Sequence, residues 1–308
     1  MTYCPEGDFP LRASIELRCV MNSDITRRKL IPYLMILPAL ALILVFKIYP
    51  IGKTLTESFW VDGVMTLKTW TTVLHDATFW NAFWTTIKLN LVMIPVQVFV
   101  SFCLALLANA NLKGIGGYRT VYFLPFTISL TVATIIWSLM FNTNNGILNS
   151  LLSFAGIPAQ RFLVDKNQAL WCIVVIASWK GCGYWMMFFL AGLKNIDASI
   201  YESAKIDGAG FLTTVSRITI PLIKRVTLFV FVANTTANVL LFVPMQMITQ
   251  GGPQGSTNVL MYEAYKSAFK YADRSRSSAI VTVLLAIIVV ICIFQFKLLQ
   301  DKDGGAAS

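Results

Sequence analysis

The feature that most constrains this chain is a set of long stretches without a charged side chain. They run over residues 30–46, 89–112, 120–160, 226–262 and 277–296, and a further stretch, 167–193, is interrupted by Lys180 alone. A hydrocarbon core about 30 Å thick is crossed by a helix of roughly 20 apolar residues, since every backbone N–H and C=O must be bonded within the segment. A mean hydropathy of +0.66, with 56% apolar and 13% charged residues, points the same way. Together these exclude a soluble enzyme, a secreted disulfide scaffold and a disordered chain. The expected fold is an all-α membrane protein with six transmembrane helices at about 30–49, 83–107, 121–141, 169–193, 226–248 and 279–296. Pro38, Pro95 and Pro125 fall in the first three spans and predict kinks rather than breaks, neighbouring helices satisfying the freed carbonyls.

The formal net charge of +10 is spread through the loops between spans, so membrane lipid rather than nucleic acid is the expected surface. With the N-terminus inside, fourteen basic residues fall in inner segments and nine in outer ones, which predicts both termini in the cytoplasm. Residues 1–29 are then a cytoplasmic segment, 30–299 the membrane domain and 300–308 a cytoplasmic tail. Residues 1–20 lack the apolar stretch of a signal peptide, and the native chain is expected to open at Met21. The 6 cysteines form no Cys-x-x-Cys pair and His75 has no histidine partner, so no disulfide, metal or catalytic site is expected. The outer stretches 142–146 and 156–158 carry turn chemistry.

The loop between the fourth and fifth spans, residues 194–226, is not a random polar linker. Ser199-x-x-Glu202 has the form of a capping box that starts a short helix near Ile200, with Asp197 as a rival cap. Gly208-Ala209-Gly210 stops that helix through a left-handed residue. A second helix is expected over 211–219, with Leu212, Val215 and Ile218 as its apolar face, and Pro221 ends or kinks the run. On this pattern alone the loop is either a platform for a cytoplasmic partner or an interfacial helix resting on lipid.

Here the sequence resembles the permease subunits of bacterial ATP-binding-cassette importers, whose signature reads EAA, three residues, G, nine residues, I, one residue, LP. Glu202, Ser203, Ala204, Gly208, Ile218, Ile220 and Pro221 reproduce every interval, with serine for one alanine and isoleucine for the leucine. Tyr201 before the glutamate, Ile206-Asp207-Gly208-Ala209 after it, the run 190–193 and Thr249-Gln250-Gly251-Gly252-Pro253 resemble the carbohydrate branch, which takes up sugars, polyols and glycerol-phosphate. The resemblance implies the type I importer permease fold in the bacterial plasma membrane, with the loop as a cytoplasmic coupling helix. It implies as partners a second homologous permease, two ATPase subunits and an extracytoplasmic substrate-binding protein. Tyr201, Glu202, Ser203, Ala204, Asp207, Gly208, Ile218 and Pro221 would meet the ATPase, with Glu202 holding the cap, pairing with a cation, or both. ATP and Mg would sit on the partner: Gly52-Lys53-Thr54 looks like the end of a phosphate loop, but Lys47 stands where its first glycine belongs.

Four residues are candidates for a transport path. Lys180 in the fourth span costs on the order of 2.5 to 3.5 kcal/mol by insertion scales and should face the bundle interior or a wet cavity, with Tyr184 on the same face. Asn234 and Asn238 share a face of the fifth span, where their amides either contact sugar hydroxyls or join helices; both alternatives stand. An ion-coupled secondary transporter or a channel is disfavoured because no span has a central Asp or Glu. A membrane enzyme is disfavoured because no acid or histidine cluster could serve one.

Overall fold

The computed structural model describes residues 35–61, 63–110 and 113–300, with the backbone alone at 61 and 298–300. The expected start at Met21, the segment 1–29 and the tail 301–308 lie outside the described residues. Two compact units, Met1–Thr56 and Glu57–Ser308, divide the chain.

The described elements are helical apart from one hairpin, β1 (Trp60–Val61) with β2 (Val64–Met65). The helices are α1 (Met35–Glu57), α2 (Lys68–His75), α3 (Ala77–Asn109), α4 (Ile115–Thr127), α5 (Leu130–Met140) and α6 (Ile147–Phe154). They continue with α7 (Ala169–Lys194), α8 (Ala198–Ile206), α9 (Phe211–Leu222), α10 (Lys224–Val239), α11 (Leu260–Phe269) and α12 (Arg274–Gln300). Four of them, α1, α3, α7 and α12, are long and apolar enough to cross a membrane, and α4 with α5 make a fifth if the bent pair counts as one span. These helices extend past the expected spans: Asp76 starts α3 by accepting the Thr78 N–H at 2.7 Å, outside the apolar stretch.

Two expected spans are interrupted. The third is not a kinked helix over 121–141 but two helices meeting at 98°. Pro125 removes one N–H near the end of α4, Ile128 turns extended, and the Ser129 hydroxyl caps α5 by accepting the Val132 N–H at 3.2 Å. The fifth stops at Val239 instead of 248: Leu241 and Phe242 leave helical geometry, and helical backbone resumes only at Val243. A π-helical turn, Met245–Thr249, follows. Pro95, by contrast, sits inside α3 without interrupting it.

The core of the second unit forms where α3 and α7 pack along their lengths. Leu89, Met93, Ile173 and Met245 are fully buried in one cluster, and Met186, Phe189 and Val230 in another. At Gly183 the backbones of α7 and α4 meet so closely that a Cβ would lie 1.7 Å from the Tyr122 carbonyl oxygen. Leu91 and Phe99 on α3 and Val290 and Phe294 on α12 are exposed, as suits helices that face lipid.

Candidate functional site

The loop between α7 and α10 folds into a helical hairpin capped at both ends of its first arm. Asp197 is extended, and its carboxylate accepts the Ser199 N–H at 2.9 Å, so α8 starts at Ala198. This corrects the capping-box expectation: Ser199 and Glu202 both lie inside the helix, and the Glu202 side chain is exposed. The same hydrogen bond holds the Asp197 carboxyl below the usual carboxylate range. At the other end Gly208 adopts φ +76. Its N–H donates to the Lys205 carbonyl at 3.2 Å and that of Ala209 to the Ala204 carbonyl at 2.9 Å, a Schellman closure. A Cβ at 208 would meet nothing within 4 Å, so the demand for glycine there is purely conformational.

The second arm, α9, runs to Leu222 rather than ending at 219, with Pro221 inside it. A proline in a helix clashes with the carbonyl four residues earlier. The clash is absorbed by a π-helical turn over Val215–Thr219, in which the Ile220 N–H reaches back to the Val215 carbonyl. The same solution occurs before Pro50, where the Tyr49 N–H reaches the Leu44 carbonyl. Tyr201 and Thr219 join the arms through their hydroxyls at 3.3 Å, Ala204 and Thr219 are buried, and Ile218 is half-buried. Ser203, Asp207 and Ile220 are exposed. The anticipated apolar face divides: Val215 and Ile218 turn inward, whereas Leu212 is 79% exposed. With Ile206 at 86% and Phe211 at 71%, Leu212 makes an apolar tip around the glycine turn.

The path candidates fall into two groups. Lys180 and Tyr184 both meet Phe126: the ammonium donates to the Phe126 carbonyl at 2.8 Å, and the Tyr184 ring stacks on the Phe126 ring at 4.2 Å. The carbonyl is available because the helix breaks there, and an ammonium at a helix carboxyl terminus also meets the negative end of the dipole. Asn234 and Asn238 are buried. The Asn238 amide donates to Asn234 and, at 2.9 Å, to the Gln97 side-chain oxygen on α3. Beside them the Ser101 hydroxyl donates to the Cys182 carbonyl at 2.9 Å, so α3, α7 and α10 share one polar hub. Gln97 escaped the sequence reading, although its place in a charge-free stretch two residues after Pro95 was a signal.

A second cluster, also unanticipated, ties the opposite ends of the helices together. Glu263 on α11 is 2% exposed and receives Lys266 at 2.6 Å, Asn258 at 2.9 Å and Arg276 at 3.2 Å. Arg276 also pairs with Asp76, the cap of α3. Burial pushes the Glu263 carboxyl up, but its hydrogen bonds to Lys266 and Asn258 and the charges of Lys266 and Arg276 outweigh this and hold it below the usual range. His75 is exposed at the end of α2, its Nδ1 2.7 Å from the Thr71 carbonyl oxygen.

Helices long and apolar enough to cross a membrane, packed around a polar hub with a capped hairpin beside it, define a helical membrane protein. The chain belongs to the family described as binding-protein-dependent transport system inner membrane component, whose model matches residues 28–302. Among its relatives is the sn-glycerol-3-phosphate transport system permease protein UgpA of Salmonella typhimurium, 30% identical over 289 residues, covering 91% of this chain and 98% of that one. UgpA of Agrobacterium fabrum is 30% identical over 290 residues, covering 92% and 99%. In fold, the chain is similar to a bacterial ABC transporter involved in import of the acidic polysaccharide alginate (TM-score 0.81, 21% identity, 91% of this chain and 98% of that one). A bacterial alginate ABC transporter in complex with an alginate pentasaccharide-bound periplasmic protein gives a TM-score of 0.79 at 21% identity, covering 89% and 94%.

Proposed function

We propose that this chain is one permease subunit of an ATP-driven importer of a sugar, polyol or glycerol-phosphate. It works beside a second homologous permease, two ATPase subunits that hold ATP and Mg, and an extracytoplasmic binding protein. The observation that carries the reading is the α8–α9 hairpin: the residues of the importer signature lie on two interlocked helices, the first capped at both ends, with an exposed apolar tip. In this reading the hairpin and both termini are cytoplasmic, the tip formed by Ile206, Phe211 and Leu212 enters the ATPase, and Glu202 is free to meet a cation there. The substrate class rests on the glycerol-3-phosphate permeases to which the chain is similar.

Transmission follows from stiffness. α9 joins α10 through the buried Ile223, whose N–H donates to the Thr219 carbonyl at 3.1 Å while its own carbonyl accepts the Thr227 N–H at 2.9 Å. A hairpin displaced by closure of the ATPase would therefore carry α10 with it and shift Asn234 and Asn238 against Gln97. In proteoliposomes the chain alone should neither hydrolyse ATP nor move solute, and the complex with its partners should do both when the binding protein is supplied. ATP turnover by the pure chain would reject this reading.

A further inference from the structure

Between the outer ends of α3 and α7 and the loop before α11 lies a cavity of about 410 Å³ whose lining carries two lysines, Lys88 and Lys166, and no carboxylate. Among the described residues neither ammonium has a hydrogen-bonding or acidic partner. The nearest acid in sequence, Asp165, instead accepts the Asn167 N–H at 2.7 Å. Two ammonium groups in one lining, with no carboxylate to neutralise them, suit an acceptor-rich anion. Each lysine directly precedes a charge-free stretch, Lys88 within α3 and Lys166 in the turn before α7, and the exposed Trp171 in the same lining is a residue type that favours the headgroup level.

We infer that this cavity binds a phosphate or carboxylate group through Lys88 and Lys166. The anion has two sources, the headgroup of an anionic phospholipid or a soluble solute carrying such a group, and the assignment holds without the transport reading. The test uses the full-length chain purified with the subunits that accompany it, as wild type, Lys88→Gln/Lys166→Gln and Lys88→Arg/Lys166→Arg. Each is titrated calorimetrically with inorganic phosphate and, separately, equilibrated in mixed micelles of phosphatidylglycerol and phosphatidylcholine before retained lipid is weighed by native mass spectrometry.

The glutamine pair should lose roughly tenfold or more in one of these arms, the size expected when charge-assisted hydrogen bonds are removed, and the arginine pair should keep most of the binding. Loss in the phosphate arm identifies a soluble anion; loss of phosphatidylglycerol with phosphatidylcholine unchanged identifies a lipid. Both lysines are exposed, so neither pair disturbs the core, and matched thermal unfolding checks this. Equal binding of both probes by wild type and the glutamine pair, or no binding of either by wild type, overturns the assignment.

Discussion

The ammonium of Lys180 donates to the Phe126 carbonyl at 2.8 Å, and so closes the carboxyl end of α4 just before the chain turns by 98° into α5. The costliest residue of the fourth span is thus bound to a backbone group left unpaired by the break in the third. Replacing Lys180 with Met should leave membrane insertion intact or improved. Thermal unfolding of the purified protein should nonetheless fall, by about 1 to 3 kcal/mol, as the Phe126 carbonyl loses this charged donor. Lys180→Arg should recover part of this. Unchanged unfolding in Lys180→Met would show that the contact contributes nothing.

The Gln97–Asn238 bond spans 141 residues of chain and joins α3 to α10. A double-mutant cycle with Gln97→Leu and Asn238→Leu should show non-additive stability, with a coupling energy of about 0.6 to 1.7 kcal/mol. If instead each change alters uptake while the stabilities add, Asn238 acts on substrate rather than on Gln97.

At the Glu263 cluster the sign of the pH effect is fixed by Glu263 and Asp76, both held below their ordinary pKa. Burial acts to raise both, and hydrogen bonds and the Arg276 charge prevail. A carboxyl whose folded pKa is depressed stabilises fully above its unfolded value, near 4.5 for Glu263, and this is lost as pH falls through the folded value. Thermal stability should therefore drop on acidification below that point, and Glu263→Gln should give a lower but flatter profile. An equally steep profile in the variant would place the titration elsewhere.

For α8, the cap at Asp197 separates two roles that the signature alone leaves merged. Asp197→Ala should fray the first turn and weaken association with the ATPase, whereas Glu202→Gln should leave the helix start intact and report only on charge at the contact. Hydrogen exchange at the amide of Ser199 distinguishes them: it should quicken in the first variant alone.

What was legible in the sequence is what local chemistry decides. The charge-free stretches located α1, α3, α7, α12 and the bent α4–α5 pair but not the early end of α10, and Gly208 read correctly as a left-handed stop because its two closing bonds lie within five residues of it. Asp197 and Ser199 compete for one helix start at a separation of two residues, and spacing alone does not say which acceptor wins. The bend after Pro125 was half visible: the proline announces a disturbance, but a break needed Ser129 to cap the next helix and Lys180, 54 residues on, to take the carbonyl. Arg276 and Asp76 lie 200 residues apart, and no periodicity relates them.

The most direct test of the account is ATP-driven uptake by the reconstituted complex carrying Gly208→Val. Valine at φ +76 costs roughly 1 to 2 kcal/mol in backbone strain, with no neighbour to clash against, so its effect is to redirect the hairpin while the membrane helices stay untouched. The account predicts normal membrane abundance, weakened retention of the ATPase and uptake well below wild type. Full ATPase retention with wild-type uptake in this variant would contradict the claim that the α8–α9 hairpin couples ATP hydrolysis to transport.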